Sequence, residues 1–208
     1  MTPVGTPGRG APQEIPRPEG WLPGEPPPWA ALEDRSLTLD GILGVMDGRR
    51  PVGIRGLPRG DEREAGVLVA LYDDPAGGGP HVVLTRRSPS LASHSHEVSF
   101  PGGRRDPGDP DLWATALREA AEEIGLDPRL PRLVGRLDPL VTVGSRSLIH
   151  PFVAVLPGPP TLVPNVDEVE AVLLVPLAEL PEDVVYREEG GARFVSPGTI
   201  TVVGLEAD

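Results

Sequence analysis

"SFPGGRRDPGDPDLWATALREAAEEIGLDP", residues 99–128, decides how the whole chain is read. Its second half carries a helical period, predicting a helix over 111–124. Leu112, Trp113, Ala116, Leu117, Ala120 and Ile124 fall on one broad apolar face. Asp109 is expected to cap the N-terminus, with Pro110 at the first helical position and Asp111 in the electropositive first turn. Gly125 is placed for a left-handed C-terminal cap, with Leu126 folding back onto the helix.

Glu119, Glu122 and Glu123 stand at i, i+3 and i+4 of this helix, on a face adjoining the apolar one, with Glu123 at the border. Like charges so spaced repel by roughly 0.2–0.5 kcal/mol per pair. A hard divalent cation would relieve that repulsion, because Mg²⁺ and Mn²⁺ prefer carboxylate oxygen. The plainer alternative is a solvated acidic face paired with Arg118. The loop before the helix, "PGGRRDPGD" (101–109), reads by itself as an ordinary Gly/Pro turn, but beside the acidic helix it also suits a site. Gly102, Gly103 and Gly108 let the backbone bend tightly and approach a ligand, and Arg104 and Arg105 can meet phosphate.

Short β-like runs surround this segment: 66–72, 81–87, 148–156 and 169–177, with weaker ones near 193–196 and 199–203. A short helix is expected over 36–46, from Leu39, Ile42, Leu43 and Met46. Strands, one central helix and further strands point to an α/β fold with a mixed sheet. Residues 1–34 are rich in proline and glycine, show no hydrophobic period and read as a disordered leader before a domain spanning 35–208.

The chain has 208 residues, a formal net charge of −12 and no cysteine. The acidic balance argues against nucleic acid and anionic membrane as partners held by bulk charge. The absence of cysteine excludes disulfides and thiolate metal sites. All the basic side chains are arginine, which excludes a lysine nucleophile. No signal-like or membrane-spanning run occurs, so a cytoplasmic protein is expected.

Loop and helix together resemble the Nudix box of the Nudix hydrolases, G-x5-E-x7-R-E-U-x-E-E-x-G-U, where U is a bulky aliphatic. Gly103 matches the first glycine, and Arg118, Glu119, Glu122, Glu123, Gly125 and Leu126 match the second half. Asp109 replaces the first glutamate, one extra residue precedes Arg118, and Ala120 stands where a larger aliphatic is usual. The resemblance implies an α/β/α sandwich whose box glutamates, with Gly103, hold Mg²⁺ or Mn²⁺ against a diphosphate. It implies that Arg118 orients carboxylates.

Residues 83–103, "VLTRRSPSLASHSHEVSFPGG", are similar to the signature of the coenzyme A pyrophosphatases in this superfamily. Leu84, Thr85, Arg87, Ser88, Phe100, Pro101, Gly102 and Gly103 fit that signature, while Ala92 and His96 replace an arginine and a glycine. Residues 163–180, with Asp167 and Glu168, resemble the segment that follows the sheet. The implied reaction is hydrolysis of coenzyme A or its esters to 3′,5′-ADP and 4′-phosphopantetheine. Glu119 or Glu168 would accept the proton of the attacking water, and Arg87, Arg104 and Arg105 would meet phosphates. The competing readings are hydrolysis of another nucleotide diphosphate, such as ADP-ribose or a dinucleotide, and a catalytically silent nucleotide-binding module.

Two further features enter as expectations. His94 and His96 could share a strand face, but no third metal ligand accompanies them, and His150 reads as structural. The subgroup's C-terminal helix has no counterpart in "PGTITVVGLEAD" (197–208), so one sheet face needs another cover: the leader, the 36–46 helix or a second subunit of a homodimer. Because 1–34 carry no core-forming pattern, deleting them is expected to leave the melting temperature and turnover nearly unchanged. A large drop in thermal unfolding temperature would show that the leader is the cover.

Overall fold

The structure is a computed structural model that describes residues 37–56, 58–76, 78–88, 98–142, 146–180, 186–189 and 192–195. The leader 1–34, Ala92, His94, His96, the run near 199–203 and the C-terminal ending lie outside the described residues.

Helix α1 (Leu39–Met46) is followed by strands β1 (Arg63–Asp74), β2 (Gly79–Arg87), β3 (Val98–Ser99) and β4 (Gly102–Arg104). Helix α2 (Leu112–Ile124) comes next, then β5 (Arg132–Arg136), β6 (Leu140–Val141), β7 (Ser147–Val155) and β8 (Val169–Pro176). A 3-10 turn (Leu177–Glu179) precedes β9 (Tyr186–Glu189) and β10 (Ala192–Val195), which pair antiparallel as a separate ladder.

The main sheet is eight-stranded and mixed. β1 runs parallel to β7, from Arg63 beside Ser147 to Leu71 beside Val155, and the other pairings are antiparallel. β1 and β2 pair only where Leu71–Asp74 meet Gly79–Val82. Beyond that point the two strands part. β3 takes up the free edge of β2 at Thr85 and Arg86, and β4 takes up β1 from Ala65 to Val67. The segment linking β3 to β4 thus fills a fork in the sheet, and the site is built there.

Side-chain alternation divides the core between two faces. Leu68, Ala70, Val83, Phe152, Ala154 and Val172 pack under α2 against Ala116, Ala120 and Ile124. Val69, Leu71, Val82, Val153, Leu173 and Val175 form the opposite face, where Met46, Leu39 and Ile42 of α1 pack. Each fully buried Val, Leu, Ile or Phe of this kind contributes about 1.5–3 kcal/mol. The molecule is therefore an α/β/α sandwich, and α1 covers part of the face for which three covers were considered. Thr38 begins α1 by accepting the amide of Gly41 at 3.1 Å.

The N-cap of helix α2 lies two residues later than expected. Asp111, not Asp109, is its cap, accepting the Ala114 amide at 2.8 Å, and Pro110 lies outside the helix. The reason is competition: the Asp109 carboxylate is taken by Arg118 and Thr115. The other end follows the sequence reading. Gly125 has φ of 64°, its amide reaches Ala121 at 3.0 Å, and Leu126 is buried.

The seat of α2 depends on Gly66. A Cβ there would lie 2.3 Å from the Leu112 carbonyl oxygen, a backbone atom that cannot swing aside. Gly66→Ala is expected to lower unfolding free energy by about 1–3 kcal/mol or more, as overpacking does. Gly158→Ala, where a Cβ meets nothing within 4 Å, should be near neutral. Urea unfolding of the two variants checks the contrast.

Candidate active site

Four elements meet at the fork: the end of β2, the β3–β4 segment, the middle of α2 and the loop before β8. Their arrangement begins with Asp109, a buried acid in the loop before α2. Arg118 donates Nε to Oδ1 and Nη2 to Oδ2 of Asp109, both at 3.0 Å. The Thr115 hydroxyl and the Asp106 amide donate to Oδ2 at 2.9 and 3.0 Å. These bonds, led by those from Arg118, hold the Asp109 carboxyl well below the usual carboxylate range and raise Arg118 above its ordinary value.

Arg118 then distributes its remaining donors. Nη2 reaches the Arg104 carbonyl at 3.1 Å and Glu119 Oε1 at 2.9 Å. Nη1 donates to Glu122 Oε2 at 3.0 Å. Its guanidinium therefore ties the loop to the helix and spaces two of the three box glutamates.

The three glutamates occupy different surroundings. Glu122 is mostly exposed, with its side chain 57% accessible. Glu119 is largely buried against Gly103, where an added Cβ would stand 2.4 Å from its carboxylate. Glu123 lies deeper than the border position predicted for it, at 3% exposure. The Gly102 amide donates to Glu123 Oε2 at 3.0 Å, and Arg87 Nη1 is 3.7 Å from Oε1. Burial raises both acids, Glu119 above the ordinary carboxylate value and Glu123 from 4.5 to about 7; Arg87 and the Gly102 amide only partly offset burial at Glu123. The charge of Glu168 acts on both, raising them further.

Glu168 is held close by backbone ties. The Asn165 amide donates to the Glu123 carbonyl at 2.8 Å, Val163 to Ile124 at 2.9 Å and Ser88 to Glu168 at 2.9 Å. The loop before β8 is thus fastened to both α2 and β2. Among the phosphate-binding candidates, Arg87 points into the cluster and Arg104 is exposed at the end of β4. Arg105 donates to the carbonyls of Asp109 and Pro110 at 3.3 and 3.1 Å and lies 3.6 Å from Glu64. His150 sits 3.8 Å from the same Glu64, a structural setting.

Two contributions escaped sequence reasoning. Thr115 and Gly66 carry no motif signal, because each matters only through what the fold places opposite it. Asp109 was visible only as the acidic position of the box, where the capping reading competed with it.

The family model of the NUDIX domain matches residues 62–194, and the chain belongs to the Nudix hydrolases. It is 38% identical over 148 residues to the uncharacterized Nudix hydrolase NudL of Klebsiella pneumoniae, spanning 71% of this chain and 74% of that protein. It is 42% identical over 123 residues to the peroxisomal coenzyme A diphosphatase ndx-8 of Caenorhabditis elegans, covering 59% and 52% of the two chains. Among solved structures, a Nudix hydrolase from M. smegmatis, RenU, matches with a TM-score of 0.45 and 22% identity over 57% of this chain and 73% of that one.

Nudix hydrolases act on small substrates with a nucleoside diphosphate linkage and generally use divalent metal ions. The donor set suits such an ion. Glu123 is a buried oxygen donor, and the Glu119 carboxylate presses so close to the Gly103 backbone that a Cβ there would collide with it, so both acids stand beside the Gly102–Gly103 backbone. Among the described residues no three acidic or histidine side chains already converge as a metal cage; Arg118 pairs with Glu119 and Glu122, and Arg87 stands 3.7 Å from Glu123. Also among the described residues, no helix is long and apolar enough to cross a membrane.

Two of the perturbed acids, Glu123 and Asp109, predict opposite pH effects in metal-free protein. Glu123 binds its proton more tightly folded than unfolded, so its contribution to stability falls as pH rises from 4.5 to about 7. Asp109 is depressed, so its contribution is present above 3.8 and lost as pH falls below it. Urea unfolding in EDTA should show Glu123→Gln flattening the first slope and Asp109→Asn removing much of the second.

Proposed function

We propose that the protein hydrolyses the diphosphate of coenzyme A or its esters, releasing 3′,5′-ADP and 4′-phosphopantetheine. The observation that carries the reading is the pair of carboxylates, buried Glu123 and half-buried Glu119, set against Gly102 and Gly103 with Arg87 beside them. Likeness to the coenzyme A diphosphatase of C. elegans supports this substrate over ADP-ribose or a dinucleotide. Intact carboxylates at all three box positions favour an enzyme over a silent binding module.

In this reading Glu119, Glu122 and Glu123, with the Gly103 carbonyl, would hold Mg²⁺ or Mn²⁺. Such an ion supplies Lewis-acid polarisation and charge neutralisation to the diphosphate when bound. Arg118 holds Glu119 and Glu122 apart and in register. Glu168, with Glu119 as the alternative, accepts the proton of the water that attacks phosphorus. One P–O bond forms and the bridging P–O bond breaks, leaving two monophosphate ends. Arg87, beside Glu123, meets the diphosphate, and exposed Arg104 is free to meet the 3′-phosphate of coenzyme A. Arg105 remains with the loop, on Glu64 and two carbonyls.

The test is kcat/KM on coenzyme A, dephospho-coenzyme A and ADP-ribose with Mg²⁺. Coenzyme A should be preferred. Arg87→Ala should lose about 1.5–3 kcal/mol of transition-state stabilisation on coenzyme A and dephospho-coenzyme A alike. Arg104→Ala should lose more on coenzyme A than on the dephospho compound. A wild type that prefers ADP-ribose would sink the substrate assignment.

A further inference from the structure

Arg87 reaches the site through an irregularity in the sheet. Along the β2–β8 ladder Arg86 faces Ala171, but Arg87 faces Val169, so Glu170 is skipped. Such a bulge re-aims the side chains that flank it. Arg86 pairs with Glu170 at 2.9 Å, whereas Arg87 turns toward α2 and Glu123.

Its hold there is loose. The 3.7 Å separation from Glu123 Oε1 exceeds hydrogen-bond length, and Arg87 Nε is buried with no hydrogen-bond partner. Glu123 by contrast is fixed at its other oxygen by the Gly102 amide. One carboxylate oxygen therefore faces a cation that it holds by charge alone. A divalent ion on Glu119 and Glu123 would need that same oxygen. Two cations on one buried carboxylate repel strongly where water is scarce.

We propose that Arg87 is an exchangeable counterion: it neutralises Glu123 in the metal-free protein and passes to the substrate's diphosphate when the ion binds. The inference rests on the metal reading of Glu119 and Glu123 given above. Its consequence is coupling. The ion alone must displace Arg87 and binds weakly. Ion and diphosphate together satisfy both the carboxylate and the guanidinium, so each tightens the other by the same factor. A diphosphate drawn in without its metal finds Arg87 still occupied.

The sign of one measurement separates this role from a merely structural one. Mn²⁺ binding is followed by the EPR signal of the free ion, using full-length protein with and without α,β-methylene-ADP as a nucleoside diphosphate probe. Arg87→Ala is expected to bind Mn²⁺ alone at least about fivefold more tightly than wild type, while the probe enhances Mn²⁺ affinity less than it does in wild type. Unchanged or weaker Mn²⁺ binding in Arg87→Ala would overturn the proposal.

Wild-type protein gives a second measurement that needs no folded variant. The Arg87 Nε–H resonance of ¹⁵N-labelled protein, assigned against Arg87→Lys, should move on addition of Mg²⁺. A resonance that stays fixed while Mg²⁺ binds also overturns the exchange. Glu123→Gln separates the two readings: it should lose Mn²⁺ affinity if the ion sits there. Undiminished binding in that variant would remove the metal site itself, and the exchange with it.

Discussion

A buried carboxylate and a guanidinium, Asp109 and Arg118, meet in a two-pronged pair, and the rest of the site is arranged around it. Both ends of Asp109 are filled, by Arg118, Thr115 and a backbone amide. Such bidentate, charge-assisted geometry fixes direction as well as distance. Removing Arg118 would leave the buried Asp109 charge without its main partner, a loss that for buried pairs in general typically costs about 3–5 kcal/mol. Because Arg118 also reaches Arg104, Glu119 and Glu122, the position of the loop, the helix and two acids is set by a single side chain. The glutamate repulsion is thereby tolerated without an ion.

The second constraint is steric. Gly66, Gly102 and Gly103 mark three places where backbone or carboxylate approaches closer than any side chain permits. Gly102 adds a φ of 149°, which other residues rarely adopt. These contacts let the β3–β4 segment lie flat in the fork and bring its amide to Glu123. The elevated proton affinity of Glu123 is a product of that closeness: the carboxylate is enclosed before anything fully neutralises it.

Legibility in the sequence followed the range of the interaction. The α2 period, its Gly125 cap and the acidic cluster were readable because each is local, within one or two turns. The long strands β1, β2, β7 and β8 were readable from continuous apolar runs. β3 and β4, of two and three residues, are too short to show alternation, and they exist only because β1 and β2 part company. The choice between Asp109 and Asp111 as cap could not be made locally, since both can cap and what distinguishes them is the claim of Arg118 and Thr115 on the Asp109 carboxylate. Glu123 was read as a border residue because helical geometry alone does not reveal that β4 closes over it.

The parallel pairing of β1 with β7 bears on how the molecule comes to be. Arg63 and Ser147 are ladder partners, so β2, β3, β4, α2, β5 and β6 all belong to the excursion between two adjacent strands. During synthesis the acidic helix emerges before the strand that completes the sheet beneath it. Closing so large a loop is entropically slow, and non-local ladders of this kind fold late. Until β7 arrives, the apolar face of α2 lacks Phe152 and Ala154 as partners, and the newborn chain exposes that surface. Val169 and Val172 of β8 follow later still, so the window in which this protein is open to misassembly is set by the time needed to make and dock the last two strands over α2.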